Sequence, residues 1–137
     1  MNYKIVTKYI KDISFKIPDA KSYFLIEKNI KDYKINFDIK SKRIKEDIIE
    51  IDTNLSLISQ TENDNRIKVS ILFSSLINLE EKISDKKKLE EIVLVDVPTS
   101  IYPDIRNILI FLFEKSGYKN INIDQNINFK DLHKKNT

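Results

Sequence analysis

The stretch Ile49-Glu50-Ile51-Asp52-Thr53-Asn54-Leu55-Ser56-Leu57 alternates without a break between core-type and polar residues. A period of two is that of a β-strand, whose successive side chains leave opposite faces. Ile49, Ile51, Thr53, Leu55 and Leu57 therefore share one face, and Glu50, Asp52, Asn54 and Ser56 the other. One apolar and one wet face is the mark of an antiparallel sheet, because parallel strands are usually covered on both faces.

Upstream, Tyr33, Ile35, Phe37 and Ile39 alternate in the same way and stop at Ser41-Lys42-Arg43. Downstream, Thr61-Glu62-Asn63-Asp64-Asn65 has the composition of a turn. Ile67, Val69, Ile71 and Phe73 then open another strand that runs towards Leu79. Near the start of the chain, Tyr3, Ile5 and Tyr9, then Ile13, Phe15 and Ile17, read as one face of a further strand. The uneven spacing around Thr7 and Ile10 predicts a bulge, and Pro18 ends the run. Four strands on short connections predict an antiparallel meander.

Beyond residue 80 the period changes. Ser84 is expected to start a helix that carries Leu89, Ile92 and Val93 and closes at Pro98. Ile101, Ile105, Ile108, Leu109, Leu112 and Phe113 then form a helical stripe, ended by Ser116-Gly117. A short extended piece, Ile121-Asn122-Ile123, leads to a last brief helix with Phe129 and Leu132, capped by Asn128. Strands first and helices after make the class α+β, in a single domain over residues 1–137.

Composition narrows the chemistry. The chain has 137 residues, of which 41% are hydrophobic and 33% charged, enough for one core under a heavily solvated surface. It has no cysteine, so thiolate metal sites and cysteine nucleophiles are excluded, and its single histidine, His133, has no second imidazole to help it bind a metal. One glycine, Gly117, excludes a glycine-rich phosphate loop. Neither a cofactor nor a metal is expected. Paired acids such as Glu80/Glu81 and Glu90/Glu91 point to different faces of a strand or helix, so they read as solvated charge and not as a catalytic pair. The start of the chain lacks a signal-type apolar run and no segment has the length of a membrane span, so a cytoplasmic protein without stable membrane insertion is expected.

Apolar surface is in excess. Leu72 and Leu76 lie opposite Ile71, Phe73 and Ile77, and Ile110 and Phe111 fall outside the main helical stripe. A lone four-stranded sheet with about two helices cannot bury both sets, which points to self-association or a binding groove.

Two segments carry a family resemblance. Lys11-Asp12-Ile13-Ser14-Phe15, followed two residues later by Pro18, resembles the N-terminal strand of SecB, the bacterial protein-export chaperone family. Val97-Pro98-Thr99-Ser100-Ile101-Tyr102-Pro103-Asp104-Ile105-Arg106 looks like the segment that opens the long helix of that family, and Ser116-Gly117-Tyr118 and Asn128-Phe129 follow in the family's order. The resemblance spans roughly residues 3–133. It implies a four-stranded antiparallel sheet with helices on one side, assembled as a homotetramer, a dimer of dimers. It also implies ATP-independent holding of unfolded precursor polypeptides and their delivery to the SecA motor.

By position in the family, the client groove is expected at Tyr23, Phe24, Leu25, Ile26 and Ile30, with Tyr33, Phe37, Phe129 and Leu132 on its other wall. Asp12 matches an acidic position of the SecA contact, whereas Lys16 and Ser70 depart from the acidic pattern. The oligomer interface is expected to use Phe15 and Arg106. Two alternatives stand beside this. A SecB-like chaperone dedicated to a toxin–antitoxin client would share fold and chemistry. A basic sheet domain stacking single-stranded nucleic acid on Tyr33 and Phe37 is weakened by lysines interleaved with acids, and no nucleic-acid partner is expected.

Overall fold

The computed structural model describes residues 2–29, 33–59, 67–118 and 121–135. Four strands, β1 (Tyr3–Lys16), β2 (Tyr33–Arg43), β3 (Ile48–Ser59) and β4 (Lys68–Leu79), form one antiparallel sheet in the order β1-β4-β3-β2. The meander runs through β2, β3 and β4. β1 does not join it beside β2 but takes the far edge, paired with β4. The 17–32 connection must therefore cross the end of the sheet, and most of it is a helix, α1 (Ala20–Asn29). Its start is signalled locally, since Asp19 Oδ1 accepts from the Ser22 backbone N–H at 2.8 Å and from the Ser22 hydroxyl at 2.9 Å.

The expected bulges in β1 exist, with register shifts between Ile5 and Thr7 and between Ile10 and Asp12. Each extra residue flips the alternation. This corrects the expectation that Tyr9 shares the face of Tyr3 and Ile5. Tyr9 opposes Ser74, on the open face, and it is Ile10, opposite Phe73, that faces the helices.

The helical layer begins at α2 (Lys86–Glu91), capped by Asp85 and not by Ser84: the Asp85 carboxylate accepts from the Lys87 backbone N–H. Pro98 does not close it. The helix passes through a π turn, Ile92–Asp96, in which the Val97 N–H reaches the Ile92 carbonyl, and continues as α3 (Val97–Lys115). The wider π turn makes room for a proline ring that a regular helix would press against the carbonyl four residues back. Gly117 ends α3 at φ +91°, in the left-handed region. α4 (Phe129–Lys135) is capped as expected, Asn128 Oδ1 accepting from the Asp131 N–H at 3.1 Å.

The core lies between the sheet and α3. Ile51, Leu55, Ile71 and Ile77 from the sheet meet Ile101, Ile105, Leu109 and Phe113 from the helix, all fully buried. Each such side chain contributes about 1.5–3 kcal/mol of transfer free energy. The other sheet face is open, and among the described residues no helix is long and apolar enough to cross a membrane.

Candidate functional site

Beside β2, the outer strand of the meander, a groove of about 420 Å³ opens between the sheet edge and the chain that follows α3. Tyr33, Ile35 and Leu57 form its sheet wall, Phe113 its floor, and Ile121, Ile123 and Ile127 its outer wall. The outer wall makes no ladder in the sheet and is tied to α3 by two side chains one turn apart. The Tyr102 hydroxyl donates to the Asp124 carbonyl at 2.6 Å, and Arg106 Nε donates to the Ile123 carbonyl at 3.2 Å. Burial pushes the Tyr102 phenol above its ordinary pKa, Arg106 opposes the shift, and Asp124 adds to it. The phenol therefore stays a donor.

At the α1 end the groove is flanked by stacked rings. Tyr23 lies on Tyr118 with centroids 4.6 Å apart, and Tyr118 meets Phe113 edge-on at 5.7 Å. Phe24 packs edge-on against Tyr23 yet is 69% exposed. On the sheet side the Tyr33 hydroxyl reaches across to accept from the Ile67 backbone N–H at 2.9 Å, which fixes its ring over the end of β3.

The residues singled out from sequence are split by this geometry. Tyr33 lines the groove; Tyr23 is linked to its residue Phe113 through Tyr118, Phe24 packs on Tyr23 outside the lining, and Leu25 is half-buried. Ile26 lies in α1, and Ile30 falls outside the described residues. Phe129 is 2% exposed, and with Phe37 and Tyr102 it forms an edge-to-face cluster inside the core; Leu132 packs on its margin. Ile35, Leu57, Phe113, Ile121 and Ile127 were not singled out. Ile35, Leu57, Ile121 and Ile123 carry a spacing of two and Phe113 a helical spacing, signals of an apolar face that do not tell groove from core.

The surface expected at the oligomer interface also divides. Phe15 is half-buried against Phe113, with rings 5.2 Å apart, and Arg106 is engaged within the chain at Ile123. The exposed apolar residues here are Ile10 at 48% and Ile13 at 36% on the helix side of β1, and Phe111 at 55% on α3.

The open sheet face is held by an ionic network. Lys11 Nζ lies 3.0 Å from Asp52 and 3.3 Å from Glu50; the Tyr9 hydroxyl donates to Glu50 at 2.7 Å, and the Ser74 hydroxyl to Asp52 at 2.5 Å. The hydrogen bond to Glu50 raises the Tyr9 phenol above its ordinary pKa. Asp12 is exposed on this face opposite Leu72, and Ser70 donates to Asn54 at 3.1 Å. Among the described residues no cluster of His, Asp and Glu has the makings of a metal site.

Comparison with known proteins gives a consistent result. The family model described as SecB, preprotein translocase subunit SecB, matches residues 1–137. A Pelagibacter ubique protein named as a protein-export SecB is 41% identical over 133 residues, covering 97% of this chain and 95% of that protein. The protein-export protein SecB of Rickettsia bellii is 26% identical over 130 residues, covering 93% and 83%. Among solved structures, a Mycobacterium tuberculosis SecB-like chaperone in complex with a ChAD peptide from the HigA1 antitoxin superposes with a TM-score of 0.69 at 12% identity, covering 90% of this chain and 86% of that one.

Proposed function

The chain belongs to the SecB family, and on that basis we propose that it is an ATP-independent holdase that keeps precursor polypeptides unfolded for export and delivers them to the SecA motor. The observation that carries this reading is the groove beside β2, walled by Tyr33, Ile35, Leu57, Ile121 and Ile127 and floored by Phe113. Lys34, Asn122 and Asp124 border it as well, so its lining is mixed, and its aliphatic and aromatic side chains can repack without demanding one partner sequence. A holdase needs no reacting group. Burying client side chains at roughly 25 cal/mol per Å² supplies the affinity after ordering costs are met.

The working unit on this reading is a homotetramer, a dimer of dimers, in which Ile10, Ile13 and Phe111 are covered. These three exposed side chains lie on β1 and α3, away from the groove lining. The 41% identical relative, named for protein export, favours general export over a single dedicated client.

The test is light-scattering mass on a sizing column, with and without a stoichiometric unfolded polypeptide. A tetramer that carries the unfolded chain and ignores its folded form is the expected result. A protein that stays monomeric and captures no unfolded chain overturns the reading.

A further inference from the structure

We infer that one end of the open sheet face docks an acidic, extended segment of a partner protein across Lys16, Lys68 and Lys34. The inference goes beyond the client groove: it concerns the sheet face of Asp12, Lys16 and Ser70, where the resemblance implies an acidic SecA contact and this chain carries the opposite charge at Lys16. Lys16 and Lys68 are direct cross-strand partners of β1 and β4, and Lys34 of β2 is the partner of Ile58 of β3. Leu57 pairs with Val69, so Ile58 and Lys68 stand one step further along the same line. The four residues form one row over all four strands, spanning roughly 14 Å at the usual strand spacing of about 4.8 Å.

All three lysines are exposed, and among the described residues none of them pairs with a carboxylate. Of the acids of the face, Glu50 and Asp52 hold Lys11 and Asp38 lies beside Lys40, whereas Asp12 is exposed two rows from Lys16 and pairs with none of the three lysines. Like charges directly opposite each other repel, and an anion placed between them relieves the repulsion. The neighbouring row, Ser14, Ser70, Ser56 and Asn36, carries only short polar side chains, so an extended backbone can lie close to the sheet. Beside Lys68 a hollow of about 310 Å³, bordered by Ser14, Ser70 and the half-exposed Ile58, offers one apolar contact. Nucleic acid fits less well. Stacking needs free rings, and the aromatic of this face, Tyr9, lies several rows away with its hydroxyl bound to Glu50.

The experiment is fluorescence anisotropy of the full chain with three labelled probes. These are an extended peptide alternating glutamate with serine, the same peptide with lysine for glutamate, and an oligothymidylate of similar length. The acidic peptide should bind, with affinity falling steeply as salt rises, and the lysine peptide should not. Lys16→Glu should weaken the acidic peptide at least tenfold. It also places opposite charges across β1 and β4, so the variant should melt no lower than the parent, which separates lost docking from lost fold. Lys34 also borders the groove and is left unchanged. Capture of an unfolded polypeptide by Lys16→Glu should match the parent, so a failure of this proposal is distinct from a failure of the holdase reading. No binding of the acidic peptide by the parent overturns the proposal. Equal binding of the oligothymidylate, or undiminished peptide binding by Lys16→Glu, overturns it as well.

Discussion

Tyr23 and Tyr118 stack at 4.6 Å, and the Tyr118 hydroxyl donates to the Tyr23 carbonyl at 3.0 Å across 95 positions of sequence. The Tyr23 hydroxyl returns the bond one residue away, to the Gly117 carbonyl at 2.9 Å. This reciprocal clasp fastens α1, the crossover that carries the chain from one sheet edge to the other, onto the end of α3. It also fixes where Phe24 is presented.

Gly117→Ala should destabilise the fold by about 1–3 kcal/mol, because a side chain at φ +91° is strained. The added Cβ would also come within 2.8 Å of the Tyr23 hydroxyl, whereas the nearest ring carbons are 3.5 Å away. In a Tyr23→Phe background the collision is gone and only the backbone strain remains. Gly117→Ala should therefore cost less there than in the parent, and a double-mutant cycle by urea unfolding measures the difference. Equal costs in both backgrounds would show that the contact is unimportant.

Phe24 and Phe129 were both assigned to the groove from sequence, and their environments predict opposite phenotypes. Phe129→Ala opens a cavity in the aromatic cluster with Phe37 and Tyr102 and should cost about 3–5 kcal/mol of stability. Phe24→Ala removes an exposed ring and should change stability by no more than about 0.5 kcal/mol while weakening capture of an unfolded polypeptide. Thermal melts paired with a capture assay check both arms.

Ile10→Glu and Phe111→Glu should each shift the mass in solution towards smaller species, since a charge placed in a buried apolar contact is costly to desolvate. Both positions are exposed in the single chain, so the isolated fold should survive and circular dichroism should be unchanged. Analytical ultracentrifugation reads the outcome; an unaltered mass for both variants would remove β1 and α3 from the interface.

The backbone N–H of Ser22, followed by the Ser22 hydroxyl, holds the Asp19 carboxyl below its ordinary pKa of 3.8. A group depressed in the folded state stabilises fully above its unfolded value and loses that contribution as pH falls through the lower folded value. The start of α1 should therefore stay capped as pH falls through the ordinary carboxylate range and loosen only below it. Asp19→Asn keeps an acceptor oxygen without the charge, so the effect should vanish. The pH dependence of the Ser22 amide signal by NMR reads both.

Much of the architecture was legible because it is written in short periods. The alternation of Ile49 to Leu57 returned as β3, the stripe from Ile101 to Phe113 as the buried face of α3, and Gly117 and Asn128 as the residues that end and begin helices. These are local consequences of backbone geometry and side-chain chemistry, and they need no knowledge of a distant partner. The family resemblance was equally local, resting on two motifs.

The tertiary structure decided the rest. Two bulges in β1 reversed the face of Tyr9 and exposed Ile10 and Ile13 on the helix side, because inserting a residue flips every side chain after it until a second insertion flips them back. The proline expected to stop a helix was absorbed by a π turn just before it. The placement of β1 beside β4, the burial of Phe129 and the assembly of a groove from Tyr33, Phe113 and Ile121 all depend on contacts between residues far apart in the chain. A hydrophobic pattern states that a side chain must leave water. Which neighbours cover it, and which such side chains are left to line a groove, is settled only when the elements pack.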